Sequence, residues 1–520
     1  MLFSFTLRLI VILAACLCVC PSSVLAQNLQ ASPAAYFAIQ VIDEDTGRGV
    51  PLVELRTVND ILFVTDSQGM IAFHEPGLMD REVFFSVFSH GYTTPKDGFG
   101  IRGVRLTPKV GGSATVKIKR TNIAQRLYRV TGQGIYRDSV LLGKPVPLKE
   151  PVINGGVLGQ DSIFTVKYAG KLYWFWGDTN RASYPLGNFS MSGATSELPG
   201  KGPGGGLDPD KGVDLKYFVD DKGFSRGMAP LPRPGPVWLD AFMVLPDTAG
   251  REGMLAHYSR MESLEKRVEH GLMLFNDKTQ TFEHVATYGP DVTLHPHGAA
   301  TPVEVEGVKY FYFAYPYPLI RVKAEWGAIH DLKQYEAFTC LPAEAIYAPY
   351  RPQVERDGEG KVVWAWKKNT DYMDEARQRK LIAAGVLKEE EAWINLRDAD
   401  SKKPVTAHAS SLAWNAYRKK YIMIFSQING TSFLGETWYS EADGAHGPWR
   451  WAKKIVSHEK YTFYNPRHHA FFDADGGRTI YFEATYTDQF SGASAKTPRY
   501  DYNQIMYKLD LGDERMKLAE

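Results

Sequence analysis

The sequence predicts an all-β chain: an N-terminal antiparallel β-sandwich over residues 36–120, then a five-bladed β-propeller over 150–512 with a helical insertion. Three observations predict this. Residues 36–120 alternate apolar and polar positions in short runs separated by Gly, Asp and Pro, the pattern of about seven strands in a small sandwich. Five later segments carry Asp or His near their start and are followed by a turn and an aromatic-rich strand; they begin around Asp161, Asp240, His297, His408 and His468. Hairpins recurring in this way are the signature of a propeller, whose first strands line a common axis. Between the third and fourth hairpins, residues 371–393 are charged with helical spacing, which predicts a helix inserted on the third blade.

Taken in order, the chain opens with one charge, Arg8, an apolar run over 9–19, and Val24 and Ala26 at the −3 and −1 positions before Gln27. That predicts a signal peptide over 1–26 and an exported protein. Cys16 in Leu13-Ala-Ala-Cys16 offers a lipoprotein anchor as the alternative. The apolar run is too short to span a bilayer. Three of the four cysteines lie in this leader, so the exported chain keeps Cys340 alone and has no intramolecular disulfide. With 60 basic and 59 acidic residues, and one basic residue in the leader, nothing in the charge balance points to nucleic acid or an anionic membrane. Aromatic residues make up 13% of the chain, compatible with sugar stacking and equally with propeller strands.

Residues 27–35 read as a linker. The sandwich follows, with strands expected near 37–43, 52–55, 62–64, 71–73, 83–88, 104–106 and 114–118. The phrases Val41-Ile-Asp-Glu-Asp-Thr-Gly47, Thr65-Asp-Ser-Gln-Gly69 and Ser89-His-Gly-Tyr92 resemble the carboxypeptidase regulatory-like domain, which implies a non-catalytic accessory. His74 and His90 are read as structural. Residues 120–151 bridge into the propeller, and 192–236, rich in Gly and Pro, are expected to form a loop at the rim of the axial pocket.

The chemistry is expected where the inward residues converge. A two-residue turn at Ala169-Gly170 sets Asp161 opposite Asp178, bringing two carboxylates together. Like charges that close are unfavourable unless one is protonated, which makes an acid/base pair. Capping of the next loop by Asp178, or a metal held by both groups, are the rival readings. By the same arithmetic around Asp475-Gly476, His468 is expected to face Glu483, with His469 as the other inward candidate. Asp240 is expected beside Arg260 or His257, His297 shares a face with His295, and His408 lies opposite Ser426 or Gln427, near Glu436. The catalytic candidates are Asp161, Asp178, Asp240 and Glu483. The substrate-binding candidates are His297, His408, His468, His469, Arg260, Gln427 and Trp176. No zinc-ligand spacing, nucleophile elbow, phosphate loop or dinucleotide fingerprint is present, so no cofactor is expected, while calcium on the axis stays open.

Gly159-Gln-Asp161-Ser followed by Trp176-Gly-Asp178-Thr179 resembles the five-bladed propeller glycoside hydrolases of the family 43 and 32 type, and most closely in motif the propeller family that includes endo-D-arabinanases. The resemblance implies that Asp161 and Asp178 serve as base or nucleophile and as acid. The Glu-Gly-Pro in which family 43 keeps its acid is missing ahead of the fourth blade. That raises Glu483, Glu436 or a histidine as the acid, as in neoagarobiose-hydrolase-like propellers. The expected function is therefore an exported glycoside hydrolase acting on a polysaccharide or oligosaccharide. A non-catalytic carbohydrate-binding or adhesion propeller is the first alternative and a polysaccharide lyase the second. Sugar, linkage and oligomeric state are not legible in the residues.

Overall fold

The computed structural model describes residues 35–518 apart from 189, 201–205, 264–265, 290–291 and 293; the expected leader and its cysteines lie outside the described residues. The chain is all-β, with a few short helices among its strands.

Two four-stranded sheets occupy the N-terminal part. One orders Met70–Phe73, Phe37–Asp43, Ser113–Arg120 and Tyr92–Thr93; the other orders Leu62–Val64, Glu54–Thr57, Val83–Phe88 and Gly103–Leu106. The alternation predicted over 37–43 is present as alternating burial, with Phe37, Ile39, Val41 and Asp43 turned inward. Ile39 and Ile71 from the first sheet meet Leu55 and Phe85 from the second in one apolar core.

Five larger sheets follow, each beginning at one of the predicted hairpins or just before it. Their first strands are Phe164–Tyr168, Val237–Pro246, Ala299–Val305, Ala407–Asn415 and Thr462–His468, and each pairs antiparallel with the strand after it. These first strands also lie beside one another in sequence order. Neighbouring sheets are tied by polar contacts, such as the Thr301 hydroxyl to Leu412 O at 2.9 Å and His468 N to the Ser411 hydroxyl at 2.8 Å. A smaller three-stranded sheet, Val157–Gln160 with Thr179–Arg181 and Tyr184–Asn188, flanks the first hairpin.

The outer strand of the last sheet comes from far upstream. Gln125–Arg129 pairs antiparallel with Asn503–Asp510, so an expected boundary at 150 cuts through this sheet. Hydrogen bonding makes the placement obligatory, since an unpaired buried strand edge would strand its amides. Arg126 extends from this strand into the N-terminal sheets. Its guanidinium donates to Pro51 O at 3.0 Å, the Ser89 hydroxyl at 2.9 Å, His90 O at 2.5 Å and the Tyr507 hydroxyl at 3.0 Å. His90 is buried in the same seam, 3.1 Å from the Tyr486 hydroxyl.

The expected loop over 192–236 is partly strand: Ser192–Ser196 is a wholly buried third strand of the first of these sheets. Its small side chains pack beneath Trp174 and Phe175, which the Gly/Pro count had concealed. The insertion on the third sheet contains the helix Glu375–Ala383, started by the Asp374 carboxylate accepting from Arg377 N at 2.7 Å.

Candidate functional site

A cavity of about 740 Å³ opens where the first strands meet. Asp161, Asp178, Asp240, His297, Tyr464 and Arg467 contribute to its wall. A second cavity of about 570 Å³ adjoins it, with His297 and Tyr315 lining both and Glu375 and Arg379 of the inserted helix forming part of the far wall.

Asp161 and Asp178 are held together by the hairpin. The register Phe164↔Phe175 through Tyr168↔Lys171, closed by Ala169 and Gly170 at positive φ, continues to the two aspartates. Asp161 N donates to Asp178 O at 3.3 Å, and Asp178 N donates to Asp161 Oδ1 at 2.8 Å. Gly177 makes this approach feasible, because a Cβ there would lie 2.3 Å from Asp161 Oδ1. The flanking residues lock the pair from below. Gln160 donates to the Thr179 and Ser192 hydroxyls at 3.1 and 2.6 Å and accepts from the Tyr217 hydroxyl at 2.8 Å.

The two carboxyls differ in surroundings. Asp161 accepts from the Tyr464 hydroxyl at 2.5 Å as well as from Asp178 N. Burial raises its pKa, and these donors with Tyr502 and Ser162 pull it back. Asp178 has one side-chain donor, the Trp238 indole N–H at 3.1 Å. Burial first, and then the charge of Asp161, push Asp178 up to about 7. One carboxyl is thus supplied with donors that favour the anion, and the other is held towards its protonated form.

Asp240 stands on the next strand. Its Oδ1 accepts from Ala241 N at 2.7 Å, and its Oδ2 is 3.2 Å from His297 Nδ1. Arg267 Nη1 lies 3.4 Å from His297 Nε2. The His297 ring thus bridges Asp240 and Arg267.

Other predicted positions fall elsewhere. Glu483 is fully buried, pairs in register with Arg467, and meets His469, not His468, at 2.8 Å. His469 packs against Trp174 and Phe472 in the core, and His468 pairs with Phe482 and bonds Asp473 at 2.7 Å. None of these three lines either cavity, because the turn after His468 is built from two short 3-10 segments and shifts the register by one. Trp176 is fully buried against Trp174 and Tyr217, so it offers no face to a sugar. Arg260 lies opposite Val237 and is committed to Glu269 at 2.9 Å, while His257, the true partner of Asp240, is buried against Tyr335. Gln427 pairs with Ala407 and lines neither cavity; Glu436 is buried and takes Lys454 at 3.0 Å. His408 lines the second cavity beside Tyr315. Among the described residues no group of three or more His, Cys, Asp or Glu is arranged to hold a metal ion, and no helix is long and apolar enough to cross a membrane.

Sequence reasoning missed Tyr464, Trp238, Tyr502 and Arg467. The first had a signal in Tyr464-Asn-Pro466, a break early in a strand. At four of the five first strands the chain breaks directly after the inward residue, where Ser162, Ala241, Gly298 and Asn465 have positive φ; the fourth, which carries His408, has no such break. Tyr464 therefore holds in the fifth sheet the place that Asp161, Asp240 and His297 hold in the first three.

No protein-family model matches the sequence, and no curated protein matches it. Among solved structures, the chain is similar to the exo-β-1,3-galactanase from Phanerochaete chrysosporium with galactose, at 8% identity and a TM-score of 0.36, covering 76% of this chain and 67% of that one. It is similar to the GH43_1 enzyme from Xanthomonas citri complexed with xylose at 10% identity and a TM-score of 0.33, covering 70% and 91%. It is also similar to an exo-1,5-α-L-arabinanase from a bovine ruminal metagenomic library at 11% identity and a TM-score of 0.32, covering 68% and 93%. At these identities and scores none of them assigns an activity or a substrate to this chain.

Proposed function

We propose that the chain is an exported glycoside hydrolase whose five larger sheets are the blades of a propeller, with the two N-terminal sheets forming a carboxypeptidase regulatory-like sandwich docked on its side. The observation that carries the catalytic reading is the asymmetry of the acidic pair. Asp178, raised to about 7, is suited to protonate the leaving glycosidic oxygen near neutral pH. Asp161, anchored by Tyr464 and Asp178 N, is suited to act as the base or nucleophile. Their placement across one hairpin keeps the carboxyls close, which favours the retaining arrangement of about 5–5.5 Å over the wider inverting one. Asp240 and His297 act as a neighbouring polar clamp for substrate hydroxyls. Burial holds Tyr464 protonated well above its ordinary range, which works against a tyrosinate base and so against the lyase alternative.

The test is a polysaccharide panel scored for reducing ends, with Asp161→Asn and Asp178→Asn beside the wild type. Loss of turnover by about 10²–10⁴-fold in each, with far-UV circular dichroism unchanged, supports the hydrolase. Glycan binding without turnover by any of the three proteins would leave the non-catalytic binding reading.

A further inference from the structure

Two guanidiniums, Arg267 and Arg467, line the 740 Å³ cavity. Arg467 is 8% exposed; its Nε donates to Ile163 O at 3.2 Å and its guanidinium lies 4.6 Å from the Phe164 ring centroid. Its Nη1 has no hydrogen-bond partner among the described residues and is itself closed off from solvent, so the edge turned to the cavity is the rest of the fork. Arg267, partly buried, has His297 Nε2 at 3.4 Å. Neither forms an ion pair among the described residues, whereas Arg260 and Arg321 each close on a glutamate. The cavity's own acids make no hydrogen bond to these arginines, although the charges of Asp240 and of the buried Glu483 act on Arg467. Asp161 takes Tyr464 and a backbone amide, Asp178 takes Trp238, and Asp240 takes Ala241 N and His297.

A buried cation is costly unless its N–H groups find acceptors, as those of Arg126 do in carbonyls and hydroxyls; Arg467 has the one acceptor Ile163 O among the described residues, which leaves it open to a ligand anion. The planar fork of arginine matches the paired oxygens of a carboxylate or a sulfate. The remaining wall includes the rings of Trp238 and Tyr315, of the kind that pack against a pyranose. We propose that this site takes an acidic saccharide, one bearing a uronate carboxylate or a sulfate ester, and that Arg467 receives the charge with Arg267 supporting it. The proposal rests on the glycosidase reading and adds the substrate class to it. The rival account makes Arg467 a counter-charge for Glu483, its partner in register, whose Oε2 is likewise without a partner. Under that account Arg467 affects stability and not selectivity.

The experiment uses glycan pairs that differ only in charge: polygalacturonate with its carboxyl-reduced form, and a sulfated galactan with its desulfated form. Wild type, Arg467→Gln and Arg467→Lys are assayed for reducing ends and for thermal unfolding. Titration calorimetry with galacturonate, galactose 6-sulfate and galactose gives a readout independent of linkage. The charged member of at least one pair should be favoured by about tenfold or more, Arg467→Gln should erase that preference, and Arg467→Lys should keep part of it. The pair that responds tells uronate from sulfate. Equal or better use of the neutral members, a preference that survives Arg467→Gln in folded protein, or binding of neither charged monosaccharide in a chain that also ignores both charged polymers would overturn the proposal. Turnover of neutral glycans alone would sink the acidic substrate and leave the hydrolase standing.

Discussion

Replacing Asp178 by Asn should make the protein inactive and, above neutral pH, more stable. The folded chain keeps a proton on Asp178 up to about pH 7, while an unfolded aspartate releases it near pH 3.9. Between those values the folded state binds the extra proton, so this group's contribution to stability is complete at low pH and is lost as pH rises through 7. The rise from 3.8 to about 7, at about 1.4 kcal/mol per unit, is about 4 kcal/mol of differential free energy. Asp178 faces the cavity, and screening by the solvent there brings the expected effect to about 2–4 kcal/mol. Asn keeps an oxygen for the Trp238 N–H and carries no charge to bury. Urea unfolding at pH 4, 6 and 8 should therefore show the variant about 2–4 kcal/mol more stable at pH 8, with the gain shrinking to nothing towards pH 4. Turnover should fall by about 10²–10⁴-fold. A stability difference that does not change with pH, or a variant weaker than wild type at pH 8, would refute the claim that Asp178 is a carboxyl held protonated by its surroundings.

In the wild type, kcat/KM should decline as pH rises through about 7, because the proton donor is lost there; an alkaline limb several units higher would assign the acid to another group. Tyr464→Phe removes a donor that favours the Asp161 anion, so the acid limb should move upward and activity drop by about 10-fold or more, read from the same pH–rate profile. His469→Ala breaks a buried pair with Glu483 and should cost about 3–5 kcal/mol in denaturant unfolding, with the pH profile of the surviving folded enzyme unmoved. Arg126→Met strips the hydrogen bonds that join the N-terminal sheets to the strand Gln125–Arg129 and leaves their buried acceptors unpaired, which should lower stability by about 1–3 kcal/mol, measured by calorimetry.

The first hairpin was legible because its turn is two residues long, so the pairing of 161 with 178 follows from position alone. The same arithmetic failed in the fifth sheet by a single residue. The turn there runs through Ala470–Phe472 and Asp475–Gly477, and Arg467 takes the place opposite Glu483 that His468 was expected to fill. The place of Tyr464 depends on the bend at Asn465, which composition does not record. The closing strand Gln125–Arg129 was out of reach for another reason: its partner begins at Asn503, and only three-dimensional proximity relates them. Trp176 shows the limit of residue type as evidence, since a tryptophan beside an acid pair reads as a sugar platform until its burial is known.

The bends around the cavity are an argument in themselves. Ser162, Ala241 and Asn465 adopt positive φ without being glycine, at a cost of about 1–2 kcal/mol for each such residue. Regular strands would avoid that cost, so something local must hold the bends in place. Each one turns a backbone or side-chain donor sideways to the neighbouring sheet: Ser162 N to the Thr485 hydroxyl at 3.0 Å, Ala241 N to Gly298 O at 3.1 Å, and Asn465 Nδ2 to the Ser162 hydroxyl at 2.8 Å. Each also leaves the preceding residue, Asp161, Asp240 or Tyr464, on the cavity wall. Strain that recurs at matched positions and always delivers a polar side chain to one space is what a site needs and what a scaffold alone does not. The acidic pair is therefore best understood as one member of a ring of positioned groups, whose spacing is set by the bends and whose charge is set first by burial and then by the donors and charges around each carboxyl.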